Sequence, residues 1–199
     1  MRAKSFFSII FAANFQLMKY IQTEIEGVCI LEPRVITDGR GYFMEVWKQE
    51  AFDQSVGKVT FVQENESRST KGVLRGLHYQ KGDTAQAKLV RVVKGRVVDV
   101  AVDVRRSSPT FGRHVMVELS EENKRQLFIP RGFAHGFLVL SDEAVFVYKV
   151  DAPYSPATEG GIRWDDPDLN IEWPVGELQV ITSEKDLKLP SFKDAEVFE

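Results

Sequence analysis

The sequence predicts an all-β, antiparallel protein built as a sandwich or barrel, and two observations predict it. Between about residues 24 and 182, apolar and polar residues alternate with a period of two in short runs, as in half-buried strands. Turn-forming residues separate the runs, which recur about every 8–12 residues. Strands at this spacing indicate antiparallel neighbours and not alternating strands and helices.

The clearest run is 95–105, where the valines at 98, 100, 102 and 104 alternate with Asp99, Ala101 and Asp103. This alternation predicts a strand with one buried face. Similar runs are present at 114–119, 125–129, 133–140 and 144–150. A small antiparallel barrel of such strands closes over a cavity that can hold one small ligand, so polar residues that face inward become candidates for a site.

Helical signal is weak, and the strongest segment, 49–56, predicts two helical turns ended by Gly57. The tail after about residue 175 is polar and is expected to pack around the outside. No linker or change of composition divides the chain, so residues 18–199 are expected to form one domain. Residues 1–17 have the outline of a signal peptide, but their apolar run of about eight residues is far shorter than a bilayer requires. Because an ordinary protein start follows at Met18, residues 1–17 are interpreted as an N-terminal extension or the product of an upstream start codon.

The charge balance predicts neither a nucleic-acid partner nor a membrane partner. The chain carries 26 basic and 29 acidic residues, a net charge of −3, with no basic block. Its single cysteine, Cys29, lies in an apolar run and is expected to be a buried core residue. A lone buried cysteine can build no disulfide scaffold, which favours a reducing, cytoplasmic location.

Four residues with transferable protons interrupt the predicted strands: His78, Lys88, His135 and Tyr148. Histidine, tyrosine and lysine titrate near about 6.5, 10 and 10.4, so such a set can take a proton, give one and stabilise an enolate. A structural interpretation stands beside this one. A strand histidine is often hydrogen-bonded in the core, Tyr148 could be a core residue, and Lys88 could lie at a solvated strand end.

A metal site and a phosphate loop are both weakly supported. Jelly-roll barrels often bind metal through a His-x-His pair, but the run here is His78-Tyr79-Gln80, without the second histidine. No glycine-rich phosphate loop is present, so anion binding would depend on arginines such as Arg40 and Arg75.

Taken together and in order, a series of motifs resembles the dTDP-4-dehydrorhamnose 3,5-epimerases of dTDP-L-rhamnose synthesis, over roughly residues 18–192. The motifs are 38–45 (DGRGYFME), 63–65 (QEN), 75–80 (RGLHYQ), 88–100 (KLVRVVKGRVVDV), 128–137 (FIPRGFAHGF), Tyr148, 154–161 (YSPATEGG) and 183–186 (SEKD). The resemblance implies a cupin-type antiparallel jelly-roll barrel with short peripheral helices, a homodimer, and catalysis without a metal or other cofactor. It also implies inversion at C3 and C5 of a 4-keto sugar bound to dTDP.

The resemblance further implies roles for individual residues. His78 would be the general base, Asp186 the carboxylate that orients it, Lys88 the cation that stabilises the enolate oxygen, and Tyr148 the acid on the opposite face. The implied substrate-binding residues are Arg40 and Arg75 at the diphosphate, Glu45, Gln63 and Asn65 at the nucleotide, Tyr154 stacked on thymine, and His135, Glu159 and Lys185 along the sugar-nucleotide site. Arg40 and Glu45 would serve the site of the other subunit.

Strict alternation conflicts with one part of this assignment, because it places Arg75 and His78 on opposite faces of their strand. Gly76 lies between them, and a glycine inside a strand often marks a bulge. We therefore predict a local irregularity at 75–77. Two other functions remain open: a single-carbon epimerase or ketoisomerase on a related nucleotide sugar, and, from another class, either a metal-dependent cupin oxygenase or a non-catalytic sugar-binding barrel.

Overall fold

The computed structural model describes residues 17–199, and they form antiparallel β-sheets, which confirms the predicted fold class. The elements are β1 (Met18–Gln22), β2 (Cys29–Pro33), β3 (Ile36–Asp38), β4 (Gly41–Phe43), α1 (Gln49–Ser55), β5 (Gln63–Thr70), β6 (Leu74–Gln80), β7 (Lys88–Lys94), β8 (Arg96–Asp103), β9 (His114–Ser120), β10 (Gln126–Ile129), β11 (Phe133–Val139), β12 (Glu143–Val150) and β13 (Glu159–Gly161), with 3₁₀ turns at Gly82–Thr84, Pro156–Thr158 and Asp186–Lys188. The predicted extension lies outside the described residues, apart from its last residue, Leu17.

Two larger sheets and one ribbon make up the fold. The six-stranded sheet has the order β1-β2-β10-β7-β12-β5, the five-stranded sheet has the order β13-β6-β11-β8-β9, and β3 pairs with β4 in the ribbon. Apolar side chains from both larger sheets meet in one core cluster, for example Val90 and Phe146 from the first sheet with Ala101 and Phe137 from the second. The two sheets therefore pack face to face, with the core between them.

The prediction that the strand at 95–105 has one buried face is wrong, because both faces of β8 are buried. Ala101 faces the core between the sheets, whereas the valines at 98, 100, 102 and 104 pack under the segment that follows β13. That segment contributes Leu169, Trp173 and Ala195 to a second apolar cluster. The C-terminal tail is polar on its exposed side, and its apolar side chains cover the outer face of the five-stranded sheet.

The short helix lies where it was predicted. Helix α1 covers Gln49–Ser55, and the backbone N–H of Gly57 donates to the carbonyl oxygen of Phe52. Phe52 is the buried residue of the helix, and its ring packs edge-on against Phe128 of β10 in a third apolar cluster. Cys29 is fully buried in the same cluster, as expected.

The predicted irregularity at 75–77 is confirmed. His135 pairs with His78, but Phe137 pairs with Arg75, so β6 carries one more residue than β11 across this interval. Gly76 has a φ of +126°, and a Cβ atom on it would lie 2.5 Å from the Cα of Gly136. The bulge therefore depends on close backbone contact that only glycine allows.

No helix within residues 17–199 is long and apolar enough to cross a bilayer.

Candidate active site

A cavity of about 440 Å³ opens between the two larger sheets, and most of the predicted site residues line it. From the predicted catalytic set these are His78, Lys88, Tyr148 and Asp186, and from the predicted binding set they are Arg75, His135, Tyr154, Glu159 and Lys185. They come from five strands, the loop after β12 and the segment after β13, which are distant in sequence, so the fold brings them together.

His78 and Asp186 form a hydrogen-bonded pair on the five-stranded side of the cavity. The distance from Nε2 of His78 to Oδ1 of Asp186 is 2.7 Å, and the aspartate side chain is only 4% exposed. Burial by itself would raise the pKa of Asp186, but the hydrogen bond and charge of His78 hold it below its usual range, helped by the backbone N–H of Gly76. The carboxylate stays ionised and orients the imidazole, while His78 remains partly exposed to the cavity.

Lys88 and Tyr148 approach the cavity from the opposite, six-stranded sheet. The ammonium of Lys88 reaches across and donates to the carbonyl oxygen of His78 at 3.4 Å. Burial lowers the pKa of Lys88 to about 8, although the charges of Asp99 and Glu159 oppose that fall. Lys88 is therefore still mainly a cation at neutral pH.

The phenol of Tyr148 is protonated at neutral pH. Burial raises its pKa, and the charge of Arg75 and hydrogen bonding with Asn65 oppose the rise. A neutral phenol in an enclosed site can donate its proton to a reacting carbon. A base, a cation and an acid thus surround one cavity, with the base on one sheet and the cation and acid on the other.

The mouth of the cavity carries a network of polar side chains. The hydroxyl of Tyr154 donates to Oε2 of Glu159 at 2.8 Å, and Lys185 makes an ion pair with the same carboxylate. Arg75 lines the same cavity and donates from Nε to Oγ of Ser69 at 3.1 Å. These groups can bind anionic and planar parts of a ligand.

Four predicted binding residues do not line this cavity: Arg40, Glu45, Gln63 and Asn65. Arg40 lies on the exposed ribbon between β3 and β4 and pairs with Asp38 of the same turn. Gln63 and Asn65 lie on the edge strand β5 and share a hydrogen bond of 2.8 Å. Asn65 is next to the site because it pairs with Tyr148 across the sheet, whereas Arg40 lies apart from it within this chain.

His135 forms a second, deeper pair with Asp99, a residue that the sequence did not single out. Nε2 of His135 lies 2.9 Å from Oδ2 of Asp99, and the aspartate is fully buried. Burial lowers the pKa of His135, and the Asp99 charge partly opposes this. An aspartate inside a valine-rich strand was the available signal, but it could be interpreted only once both faces of the strand were known to be buried.

Among residues 17–199, no three histidine, cysteine or carboxylate side chains converge in a way that could hold a metal ion.

Comparison with known proteins agrees with the motif resemblance. The profile of a family described as dTDP-4-dehydrorhamnose 3,5-epimerase matches residues 22–194. A Shigella flexneri protein of that description is 59% identical over 182 residues, which cover 91% of this chain and 99% of that protein.

Two solved structures are also similar to this chain. The dTDP-4-dehydrorhamnose 3,5-epimerase of Elizabethkingia anophelis NUHP1 has a TM-score of 0.86 and 51% identity, covering 89% of this chain and 98% of the other. The dTDP-6-deoxy-D-glucose-3,5-epimerase of Legionella pneumophila Philadelphia 1, solved in complex with dTDP-4-keto-L-rhamnose, has a TM-score of 0.86 and 50% identity, covering 89% and 94%. With this fold, this cavity and a match over most of its length, the chain belongs to the dTDP-4-dehydrorhamnose 3,5-epimerase family of dTDP-L-rhamnose biosynthesis.

Proposed function

We propose that this chain inverts C3 and C5 of dTDP-4-dehydro-6-deoxy-D-glucose to give dTDP-4-dehydro-L-rhamnose, with its own side chains as the proton carriers and no cofactor. One observation carries the assignment of roles. His78 lies on the five-stranded sheet with Asp186 of the C-terminal segment hydrogen-bonded to it, and Lys88 and Tyr148 of the six-stranded sheet line the same cavity. Inversion requires this two-sided arrangement, because the proton leaves one face of the carbon and returns to the other.

His78 takes the proton. The C4 carbonyl acidifies the hydrogens on C3 and C5, and the imidazole removes one of them as the C–H electron pair moves into the enolate. Asp186, hydrogen-bonded to Nε2 and almost fully buried, stabilises the imidazolium that results. The orientation of the ring by a carboxylate is the same arrangement that activates histidine in other enzymes.

Lys88 and Tyr148 complete the step. The ammonium of Lys88 stabilises the negative charge that develops on the C4 oxygen, and its enclosed position strengthens that interaction. The phenol of Tyr148 then protonates the carbon on the face opposite His78, and the enolate electrons reform the C–H bond. Repeating the sequence at the second carbon completes the double inversion.

The groups at the cavity mouth would hold the nucleotide part of the substrate. The guanidinium of Arg75 would donate hydrogen bonds to the diphosphate. The ring of Tyr154 would stack on the thymine, and Glu159, which accepts from the Tyr154 hydroxyl and pairs with Lys185, would hold the tyrosine ring in position. His135 would contact the sugar. The Legionella relative was solved with dTDP-4-keto-L-rhamnose bound, which supports this class of ligand. We place the activity in the cytoplasm, in keeping with the single buried cysteine, Cys29.

We also propose a homodimer in which Arg40 and Glu45 of one subunit complete the nucleotide site of the other, with Gln63 and Asn65 adjoining them. The ribbon that carries Arg40 exposes large apolar side chains, since Ile36, Tyr42 and Phe43 are 46%, 58% and 66% exposed. Ile36 and Phe43 are directly paired across the ribbon and so share one face, and an exposed apolar pair of this kind is typical of an interface. It also explains how Arg40 can serve a site without lining the cavity of its own chain.

Turnover in D2O tests the function. With dTDP-4-dehydro-6-deoxy-D-glucose as substrate, NMR of the product should show deuterium at both C3 and C5, because His78 and Tyr148 exchange their protons with solvent between steps. Deuterium at one carbon alone would indicate a single-carbon epimerase. Absence of deuterium at both carbons would refute the proposal.

Co-expression of two inactive variants tests the shared site. Arg40→Ala and His78→Asn should each be nearly inactive alone. In a mixed dimer, however, the site of the Arg40→Ala chain contains its own His78 and the intact Arg40 of the His78→Asn chain, so that site should be active. Random pairing would restore about a quarter of the sites. As a matched control, His78→Asn with Asp186→Asn should restore nothing, because both changes affect the same chain's site. Failure of the first pair to recover activity would contradict the shared site.

A further inference from the structure

Asp99 is a buried carboxylate that the proposed reaction leaves without a role. It is fully buried on β8, and its Oδ2 accepts a hydrogen bond from Nε2 of His135 at 2.9 Å. Its other oxygen, Oδ1, has no hydrogen-bond partner within residues 17–199. Because a buried carboxylate is costly unless nearby charges offset it, a carboxylate kept in this state calls for an explanation.

The sheet register places Asp99 beside two residues that line the cavity, Phe137 and His135. Asp99 pairs with Phe137 on β11, and the next residue on the same face of β8, Ala101, pairs with His135. Asp99 and His135 are therefore diagonal neighbours on the inner face of the five-stranded sheet. Lys88 projects toward this face from the opposite sheet, since its ammonium reaches the carbonyl oxygen of His78.

Several titratable groups face Lys88 from the elements around it: His78 on β6, Asp99 on β8, His135 on β11, Tyr148 on β12, Glu159 on β13 and Asp186 on the following 3₁₀ turn. Three of them are carboxylates. Glu159 already binds Tyr154 and Lys185, and Asp186 already binds His78. Among these carboxylates, Asp99 is the one with a fully buried oxygen that has no hydrogen-bond partner within residues 17–199.

The hydrogen bond also determines the state of His135. An ionised carboxylate can only accept, so Nε2 of His135 must carry the proton. Burial lowers the pKa of His135, which leaves the ring neutral and its Nδ1 unprotonated. The ring therefore offers an acceptor, and not a second positive charge, beside Lys88.

We propose that Asp99 is a positioning residue of the epimerase: its carboxylate fixes His135 as the neutral tautomer protonated on Nε2 and keeps the ammonium of Lys88 charged at the cavity. This inference rests on the proposed function, because the charge of Lys88 matters only if an enolate forms. The sign of the effect follows directly. The pKa of Lys88 is about 8 with the negative charge of Asp99 nearby. Without that charge the pKa would be lower, so the ammonium would lose its proton at a lower pH.

The test is the pH dependence of kcat/KM, between pH 6 and pH 9, for Asp99→Asn. This substitution keeps the shape of the side chain and removes its charge. We expect the basic limb of the profile to move lower by about one pH unit, and kcat/KM at pH 8 to fall about fivefold as a result. An unchanged basic limb would overturn the inference.

Asp103→Asn is the matched control. Asp103 lies on the same strand, is equally buried and is also an ion-pair partner, but its carboxylate binds Arg105, Ser108 and Thr110 away from the cavity. We expect this variant to lose stability and to keep the position of the basic limb. An equal movement of the limb in both variants would mean that general destabilisation, and not the charge beside Lys88, causes it, and would also overturn the inference.

A second measurement needs no variant. The chain has three histidines, so ring NMR of ¹⁵N-histidine-labelled wild-type protein can assign them individually. His135 should be neutral and protonated on Nε2 over the working pH range, and either an imidazolium or an Nδ1-protonated ring would overturn the inference. Deuterium exchange by the wild-type enzyme separates the two proposals. Wild-type protein without exchange refutes the proposed function, whereas normal exchange with an unmoved basic limb in Asp99→Asn refutes only this inference.

Discussion

His78→Asn is expected to lower kcat/KM by about 10²–10⁴-fold, the usual contribution of a general base. Asparagine is close to histidine in size and can still donate a hydrogen bond to Asp186, which lies 2.7 Å from the ring in the wild-type protein. It has no basic nitrogen, however, so it cannot take a proton from C3 or C5. Steady-state kinetics and NMR of substrate incubated in D2O would measure the loss of both turnover and exchange.

Tyr148→Phe is the informative comparison for this variant, because it removes the acid and keeps the base. His78 would still remove a proton, exchange it with solvent and return it to the same face. The substrate should therefore gain deuterium while little inverted product forms. Deuterium exchange at the wild-type rate in His78→Asn would show that another group is the base and would contradict the assignment.

Gly76→Ala is expected to lower the free energy of unfolding by about 2–5 kcal/mol, a large part of the total for one domain. The φ of Gly76 is +126°, which costs a residue with a Cβ about 1–2 kcal/mol. The added Cβ would also lie 2.5 Å from the Cα of Gly136 and 2.8 Å from the carbonyl oxygen of His135. Forcing these backbones apart adds about 1–3 kcal/mol.

Activity should fall together with stability in Gly76→Ala. The bulge at Gly76 lets Arg75 and His78 face the same cavity, and its backbone N–H donates to the carboxylate of Asp186. Moving the bulge would therefore misplace the base, its carboxylate and a predicted diphosphate contact. Urea unfolding and kinetics at a temperature where the variant is folded would measure the two effects separately.

Gly57→Ala provides a closely matched control for backbone strain. Gly57 has a φ of +137°, similar to that of Gly76, but nothing lies within 4 Å of the position of a Cβ there. We expect Gly57→Ala to lower the free energy of unfolding only by the conformational cost of the positive φ, about 1–2 kcal/mol, and to leave activity unchanged. Equal losses in the two variants would mean that the contact with Gly136 is not the cause.

Several features of the protein were predictable because they depend on local sequence. Period-two alternation predicted strands β8 to β12 close to their observed bounds, since side chains of a strand point alternately to its two faces. Gly57 marked the end of the only predicted helix. The irregularity at Gly76 was predictable too, because Arg75 and His78 could not share a face of a regular strand.

The motif resemblance identified the family and proposed the site residues, and the fold collected most of them around one cavity. It also implied that Arg40 would serve the site of the other subunit, and Arg40 does lie apart from the cavity of its own chain, on the ribbon of β3 and β4. Sequence position also could not place His78 on one sheet, with Asp186 of the C-terminal segment beside it, and Lys88 and Tyr148 on the other sheet.

Asp99 shows most clearly what only the tertiary structure decided. Its alternation with valines correctly predicted a strand, but the polar face of that strand was expected to be outside the core. The segment after β13 covers the valine face, so Asp99 faces inward, beside His135 and close to Lys88. Alternation shows that the two faces of a strand differ in polarity. It does not show what each face contacts, because the covering segments come from distant parts of the chain.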